Sequence, residues 1–124
     1  MSLANVEYRI ADDALIAHVD GDVDMSNAGP IVLAIARATP NDVGAVVLDL
    51  TRVEYLDSAG IHMIYRLREG VSTRGQRLVL VIGPSSPVHD ALRLAGVRGL
   101  VETEETVEQA LLLLNDAHKD PTSA

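Results

Sequence analysis

The sequence has no cysteine, no phenylalanine and no tryptophan, and its three tyrosines make up the whole 2% of aromatic residues. Without cysteine there is no disulfide framework, no thiolate metal site and no cysteine nucleophile. With so few aromatic rings there is no stacking platform for single-stranded nucleic acid. Basic residues are also scarce: 10 Lys and Arg face 18 Asp and Glu, a net charge of −8. Phosphate backbones and anionic membrane surfaces repel such a chain, whereas a protein partner with basic groups attracts it. No apolar run approaches the roughly 18 residues of a membrane-spanning helix. The N-terminus shows no basic segment leading into an apolar one, so the expected location is the cytosol.

What is present is aliphatic. Hydrophobic residues are 48% of 124 positions, enough for one domain with a core of Leu, Ile, Val and Ala. The domain is expected over 5–115, followed by a polar tail from Asp116 to Ala124 that contains Pro121. No internal repeat or low-complexity linker interrupts it.

The patterning alternates. Asn5–Ala11 and Ala14–Asp20 read as two strands joined by a turn at Asp12-Asp13, with Leu15, Ala17 and Val19 on one face. Ala28–Ala38 reads as a helix with Ile31, Ala34, Ile35 and Ala38 as its stripe and Ser26 or Asn27 as its cap. Pro30 is tolerated in its first turn. Val43–Leu50 reads as a strand covered on both faces. A helix to about Glu69 follows Tyr55-Leu56-Asp57-Ser58, with Gly60, Ile64, Leu67 and Val71 as its stripe. Gln76–Ile82 is the next strand. Ser86 and Pro87 open a helix with the stripe Val88, Ala91, Leu92 and Ala95, which Gly96 stops. Leu100–Glu102 is a short strand, and Thr106 with Gln109 is a capping box for a last helix. The order β-β-α-β-α-β-α-β-α predicts an α/β layered domain: a mixed, mostly parallel sheet of four to five strands, amphipathic helices and right-handed crossovers.

Few segments carry chemistry. Leu50–Gly60 joins an apolar strand to a helix, where functional loops of open α/β sheets gather. Ser58 falls at the helix N-terminus, where a phosphate is locally favoured. A plain N-cap role for Ser58 or Asp57 fits the same spacing. Asp20, Asp22 and Asp24 alternate before the first helix. A calcium loop there requires glycine at Met25 and glutamate at Ile31, so the turn reads as solvated acids beside a helix start. A nucleophile elbow around Ser58 requires glycine at Leu56. His18, His62, His89 and His118 have no metal-ligand spacing, and no phosphate-binding GxxxxGK[ST] loop occurs. The expectation is a protein that is not an enzyme, with no cofactor and no catalytic residue. Tyr55 and Tyr65 suit either an interface or the core, and His62 either a partner contact or a bare helix surface. A small-anion site at the Ser58 helix terminus is a further reading.

The run Asp49-Leu50-Thr51-Arg52-Val53-Glu54-Tyr55-Leu56-Asp57-Ser58-Ala59-Gly60-Ile61 resembles the signature of the STAS family, and more narrowly that of bacterial anti-sigma factor antagonists. Gly21–Ala28 resembles that family's second motif, and the element order agrees over nearly the whole chain. The resemblance implies a partner switch. The unphosphorylated antagonist binds an anti-sigma factor that is also a serine kinase. The kinase phosphorylates the antagonist and expels it, and a PP2C-type phosphatase restores it. On this resemblance Ser58 is the phosphorylated residue, and Asp24, Asp57, Ser58, Ala59, Gly60 and His62 form the partner-binding surface. His62 departs from the family, which commonly has a small residue there. The resemblance involves no nucleic acid and no membrane, leaves room for a weak dimer, and offers a non-switching scaffold subunit of a stress-signalling or lipid-transport assembly as the other role.

Overall fold

A computed structural model describes residues 4–118. Strand β1 (Ala4–Ala11) and strand β2 (Ala14–Gly21) form a hairpin. Asp12 turns it with a φ of 53°, a left-handed conformation that aspartate tolerates. Helix α1 (Ala28–Ala38), strand β3 (Ala45–Arg52), helix α2 (Ser58–Ser72), strand β4 (Arg77–Val81) and helix α3 (Pro87–Leu94) follow. A 3₁₀ turn at Val97–Gly99, strand β5 (Glu102–Glu104) and helix α4 (Val107–His118) complete the order. The sheet is a single five-stranded layer in the order β1-β2-β3-β4-β5, antiparallel between β1 and β2 and parallel elsewhere. This is the expected α/β domain.

Side-chain alternation divides the core in two. Ala17 and Val19, Leu48 and Leu50, and Leu80 and Ile82 lie on the face covered by α1, α2 and α3. Ala14 and Ile16, Ala45 and Val47, and Val79 and Val81 lie on the other, against Ala110 of α4. The register places these sets side by side, Ala17 beside Leu48 and Leu48 beside Leu80. β3 is therefore covered on both faces, as its continuous apolar run predicted. For β2 the alternation predicted one face of Leu15, Ala17 and Val19 and left the other face open. The strand buries Ala14 and Ile16 as well, because they share a cluster with α4.

Several boundaries move. The third strand starts at Ala45 instead of Val43, because side-chain and turn contacts hold the residues before it. The Val43 carbonyl accepts from Gln76 Nε2 at 2.9 Å, and Gly44 N–H donates to the Asp13 carbonyl at 2.9 Å. The last strand starts at Glu102 instead of Leu100, because Leu100 and Val101 both donate to the Val97 carbonyl and close a turn. α3 keeps its cap, with Ser86 Oγ accepting from Val88 N–H, but Ala95 of its expected stripe is exposed. Thr106 Oγ1 accepts from Gln109 N–H at 3.0 Å, while Gln109 Oε1 reaches back to Glu105 N–H, one residue earlier than in a capping box. Of the tail expected from Asp116, positions 116–118 end α4 and 119–124 lie outside the described residues. Among the described residues no helix is long and apolar enough to cross a membrane.

Gln76 clamps the α1–β3 loop. It is buried, and its Nε2 donates to both the Pro40 and Val43 carbonyls at 2.9 Å. Gln76→Glu sets a carboxylate against two carbonyls with no donor between them. Its expected cost is about 3 kcal/mol of unfolding free energy, read from urea melts.

Candidate functional site

Two segments far apart in sequence meet at the carboxyl end of β3. After Arg52 the chain turns inward at Val53, which is buried and donates to the Leu50 carbonyl at 3.0 Å. It then exposes Glu54 and Tyr55 and buries Leu56. Leu56 forms an isolated parallel bridge with Val23. Val23 N–H donates to the Tyr55 carbonyl at 2.9 Å, and Asp57 N–H donates to the Val23 carbonyl at 3.2 Å. This bridge sets the acidic turn after β2 beside the loop that leads into α2. Asp24 and Asp57 are the residues that directly follow its two partners.

Asp57 is the N-cap of α2. Its Oδ1 accepts from Ala59 N–H at 2.9 Å and from Gly60 N–H at 3.2 Å, meeting two of the orphan donors of the first turn. Of the two caps the spacing allowed, the structure takes Asp57. Ser58 is then the first helical residue. It is exposed, and its hydroxyl takes no part in the cap. Gly60 is buried beneath the bridge: a Cβ there would lie 2.6 Å from Leu56 Cγ and 3.2 Å from Val23 Cγ1. Gly60, expected among the partner-binding residues, is buried, and its missing side chain lets α2 approach the bridge.

The acidic turn is built by its own side chains. Asp24 Oδ1 accepts from Ser26 N–H at 2.9 Å and from the Ser26 hydroxyl. Asn27 Oδ1 accepts from Asp24 N–H at 3.0 Å, and Asn27 Nδ2 donates to the Asp22 carbonyl at 2.9 Å. The expected side-chain cap of α1 by Ser26 or Asn27 is therefore absent, since both side chains are committed to the turn. The Asp24 carbonyl takes the Ala28 N–H at 2.9 Å in its place. Among the described residues no group of three His, Asp or Glu is arranged to hold a metal ion.

Beside Ser58 a shallow groove runs between α1 and α2, lined by Met25, Ala28, Gly29, Val32, Ala59, His62, Met63 and Arg66. Met25 projects from the acidic turn with 84% of its surface exposed. Of the expected contact residues, Ala59 and His62 fall in this groove, Asp57 and Ser58 at its helix end, and Asp24 in the turn that carries Met25. Sequence reasoning passed over Met25 and Arg66. An apolar side chain amid Asp20, Asp22 and Asp24 was the available signal for Met25; Arg66, one helical turn beyond His62, had none. Tyr55 is exposed, whereas Tyr65 is half-buried against the core.

Asp49, which opens the same sequence run, is structural. It is only 8% exposed. Its Oδ2 meets His18 Nδ1 at 2.7 Å, and its Oδ1 accepts from Thr51 N–H at 3.0 Å and Thr51 Oγ1 at 2.7 Å. It pins β2 to β3 just before the chain leaves the sheet for the Ser58 loop.

The family profile described as STAS domain matches residues 5–110. An anti-sigma factor antagonist from Mycobacterium paratuberculosis superposes with a TM-score of 0.81 at 22% identity, covering 92% of this chain and 96% of that one. The Bacillus cell fate determinant SpoIIAA in its phosphorylated form gives a TM-score of 0.65 at 16% identity, covering 89% of this chain and 99% of that one. A sulfate transporter family protein from Wolinella succinogenes gives 0.71 at 19% identity, covering 85% and 87%.

Proposed function

Because the chain belongs to the STAS domain family, we propose that it is a cytoplasmic anti-sigma factor antagonist, a binding protein switched by phosphorylation of Ser58. The unphosphorylated chain holds an anti-sigma factor serine kinase, and phosphorylation releases it. The observation that carries this reading is the division of labour between Asp57 and Ser58. Asp57 closes the helix, so the exposed Ser58 hydroxyl can be modified without unmaking the cap of α2.

The site suits an acceptor. Phosphoryl transfer asks of its substrate mainly a correctly placed oxygen, and the partner kinase brings nucleotide and Mg²⁺. A hydroxyl on the first residue of a 15-residue helix is rigidly held. The added phosphate carries a charge of about −1.5 to −2. The helix terminus tolerates it, so the antagonist stays folded. The same charge beside Asp57 and Asp24 disfavours a desolvated interface. The groove of Met25, Ala59 and His62 is the docking surface, with His62 narrowing the choice of partner, and a PP2C-type phosphatase resets the switch.

Incubation with the cognate anti-sigma kinase and Mg²⁺-ATP, followed by mass-spectrometric mapping, should place one phosphate on Ser58 and none on the Ser58→Ala protein. A chain left unmodified, or modified only elsewhere, overturns the switch and leaves the non-switching scaffold role in its place.

A further inference from the structure

The sheet has two open edges, and they differ in kind. β5 is three residues long and two of them are glutamates, a short charged edge of the sort that discourages further pairing. β1 is eight residues long, and among the described residues no strand lies on its outer side. It carries no proline and no lysine, and it pairs with β2 without a register shift. Its two charges, Glu7 and Arg9, are opposite in sign, so unlike the like-charged β5 edge they do not by themselves repel a second copy, and the short length, proline, lysine and bulge that also blunt edges are missing.

The hairpin fixes which groups of β1 look outward. Ala11 and Ala14 flank the two-residue turn and form its closing hydrogen-bonded pair. Alternation then turns the backbone groups of Arg9, Glu7 and Asn5 toward β2. Those of Ile10, Tyr8 and Val6 face the open edge. The side chains of Val6, Tyr8 and Ile10 stand on the face of their partners Val19, Ala17 and Leu15, the face that carries α1 and α2. Tyr8 remains 38% exposed and Ile10 54%. Glu7 and Arg9 stand on the opposite face, where Arg9 Nε donates to His18 Nε2 at 3.3 Å.

The segment Val6-Glu7-Tyr8-Arg9-Ile10 is thus symmetric in hydropathy about Tyr8 and opposite in charge. We propose that β1 pairs antiparallel with β1 of a second copy of this chain, about a two-fold axis at Tyr8. In that register Tyr8 faces Tyr8, Val6 faces Ile10 and Glu7 faces Arg9. The first two are the outward-looking residues, so each of these pairs exchanges two backbone hydrogen bonds. Glu7 and Arg9 fall at the closer, non-hydrogen-bonded positions, with Cα atoms about 4.5 Å apart. Symmetry makes that ion pair twice, and the apolar pairs add cross-strand packing on the helix face. The result is one continuous sheet through both copies. A single strand edge is a small interface, so the dimer is weak and dissociates on dilution. Asp24, Asp57 and Ser58 are not on β1, and the proposal stands apart from the Ser58 switch.

Sedimentation velocity over a dilution series tests it. The wild-type chain should shift from monomer to dimer as concentration rises. Glu7→Arg and Arg9→Glu each set like charges opposite one another twice, and each should abolish the dimer. The Glu7→Arg/Arg9→Glu double variant restores complementarity only in this register and should recover it. Amide exchange on the wild-type chain is the second readout: Val6, Tyr8 and Ile10 should slow with concentration, while Glu7 and Arg9, already bonded to β2, should not. A wild-type chain that stays monomeric throughout, single variants that still dimerise, a folded double variant that does not, or no selective slowing at Val6, Tyr8 and Ile10 each overturns the proposal.

Discussion

Gly60→Ala should lower the unfolding free energy by about 1–2 kcal/mol, and the same change made in a Leu56→Ala background should be neutral or stabilising. The added Cβ would lie 2.6 Å from Leu56 Cγ and 2.7 Å from its Cδ1. Leu56 cannot swing away: it is buried, and the bridge to Val23 holds its backbone. Overpacking of this kind costs about 1–3 kcal/mol. Alanine returns up to about 1 kcal/mol of helix propensity, which sets the net figure. Leu56→Ala is itself destabilising, by about 2–5 kcal/mol, but it empties the space that the new methyl needs. Two residues in contact should then show a clear coupling in a double-mutant cycle from urea melts. An equal loss in both backgrounds would mean that α2 does not rest on Leu56. Lifting α2 from the bridge also moves Ser58, so, on the proposed reading of Ser58 as the phosphorylated residue, the single variant should be phosphorylated more slowly than the double one.

That pair of residues marks where sequence reading reached its limit. The bounds Ala28–Ala38 were legible to the residue, because the stop at Thr39 is a local signal, but the stripe was not: Ile31 and Ile35 are buried as expected, Ala38 is half-buried, Ala34 is exposed, and Val32 is buried in its stead. α2 was legible as an element, since Gly60, Ile64, Leu67 and Val71 recur at helical spacing and all are buried. The third strand was misplaced by two residues because Val43 is as apolar as its neighbours, and only the distant Gln76 shows that its carbonyl is already engaged. The last strand was misplaced because Glu102, Thr103 and Glu104 carry no apolar alternation, and their strand exists only through pairing with β4.

The site behaved likewise. The helix terminus at Ser58 was visible, but spacing alone left the cap open between Asp57 and Ser58, and one hydrogen-bond geometry separates them. The Val23–Leu56 bridge, the reason two motifs become one site, joins residues 33 positions apart. No periodicity predicts such a pair. The His18–Asp49 contact was invisible for the same reason, since it depends on the register of β2 against β3.

On the proposed reading, Ser58→Asp should weaken binding to the anti-sigma kinase at least tenfold, about 1.4 kcal/mol, while Ser58→Ala should stay within about threefold of wild type by calorimetry. The asymmetry follows from the cap. Neither substitution touches the bonds from Asp57 Oδ1 to Ala59 and Gly60, so both variants keep α2 intact and differ in charge at one exposed position. An aspartate carries one charge where a phosphate carries nearly two, so the authentic modification should weaken binding further. Two controls separate charge from shape. Raised salt screens exposed charges, so the penalty of Ser58→Asp should shrink as ionic strength rises. Asp57→Asn keeps a good capping side chain but removes the neighbouring charge, so the penalty should shrink in that background as well. A penalty that ignores both salt and Asp57→Asn would assign the release to the bulk of the group at Ser58, with electrostatic repulsion playing no part.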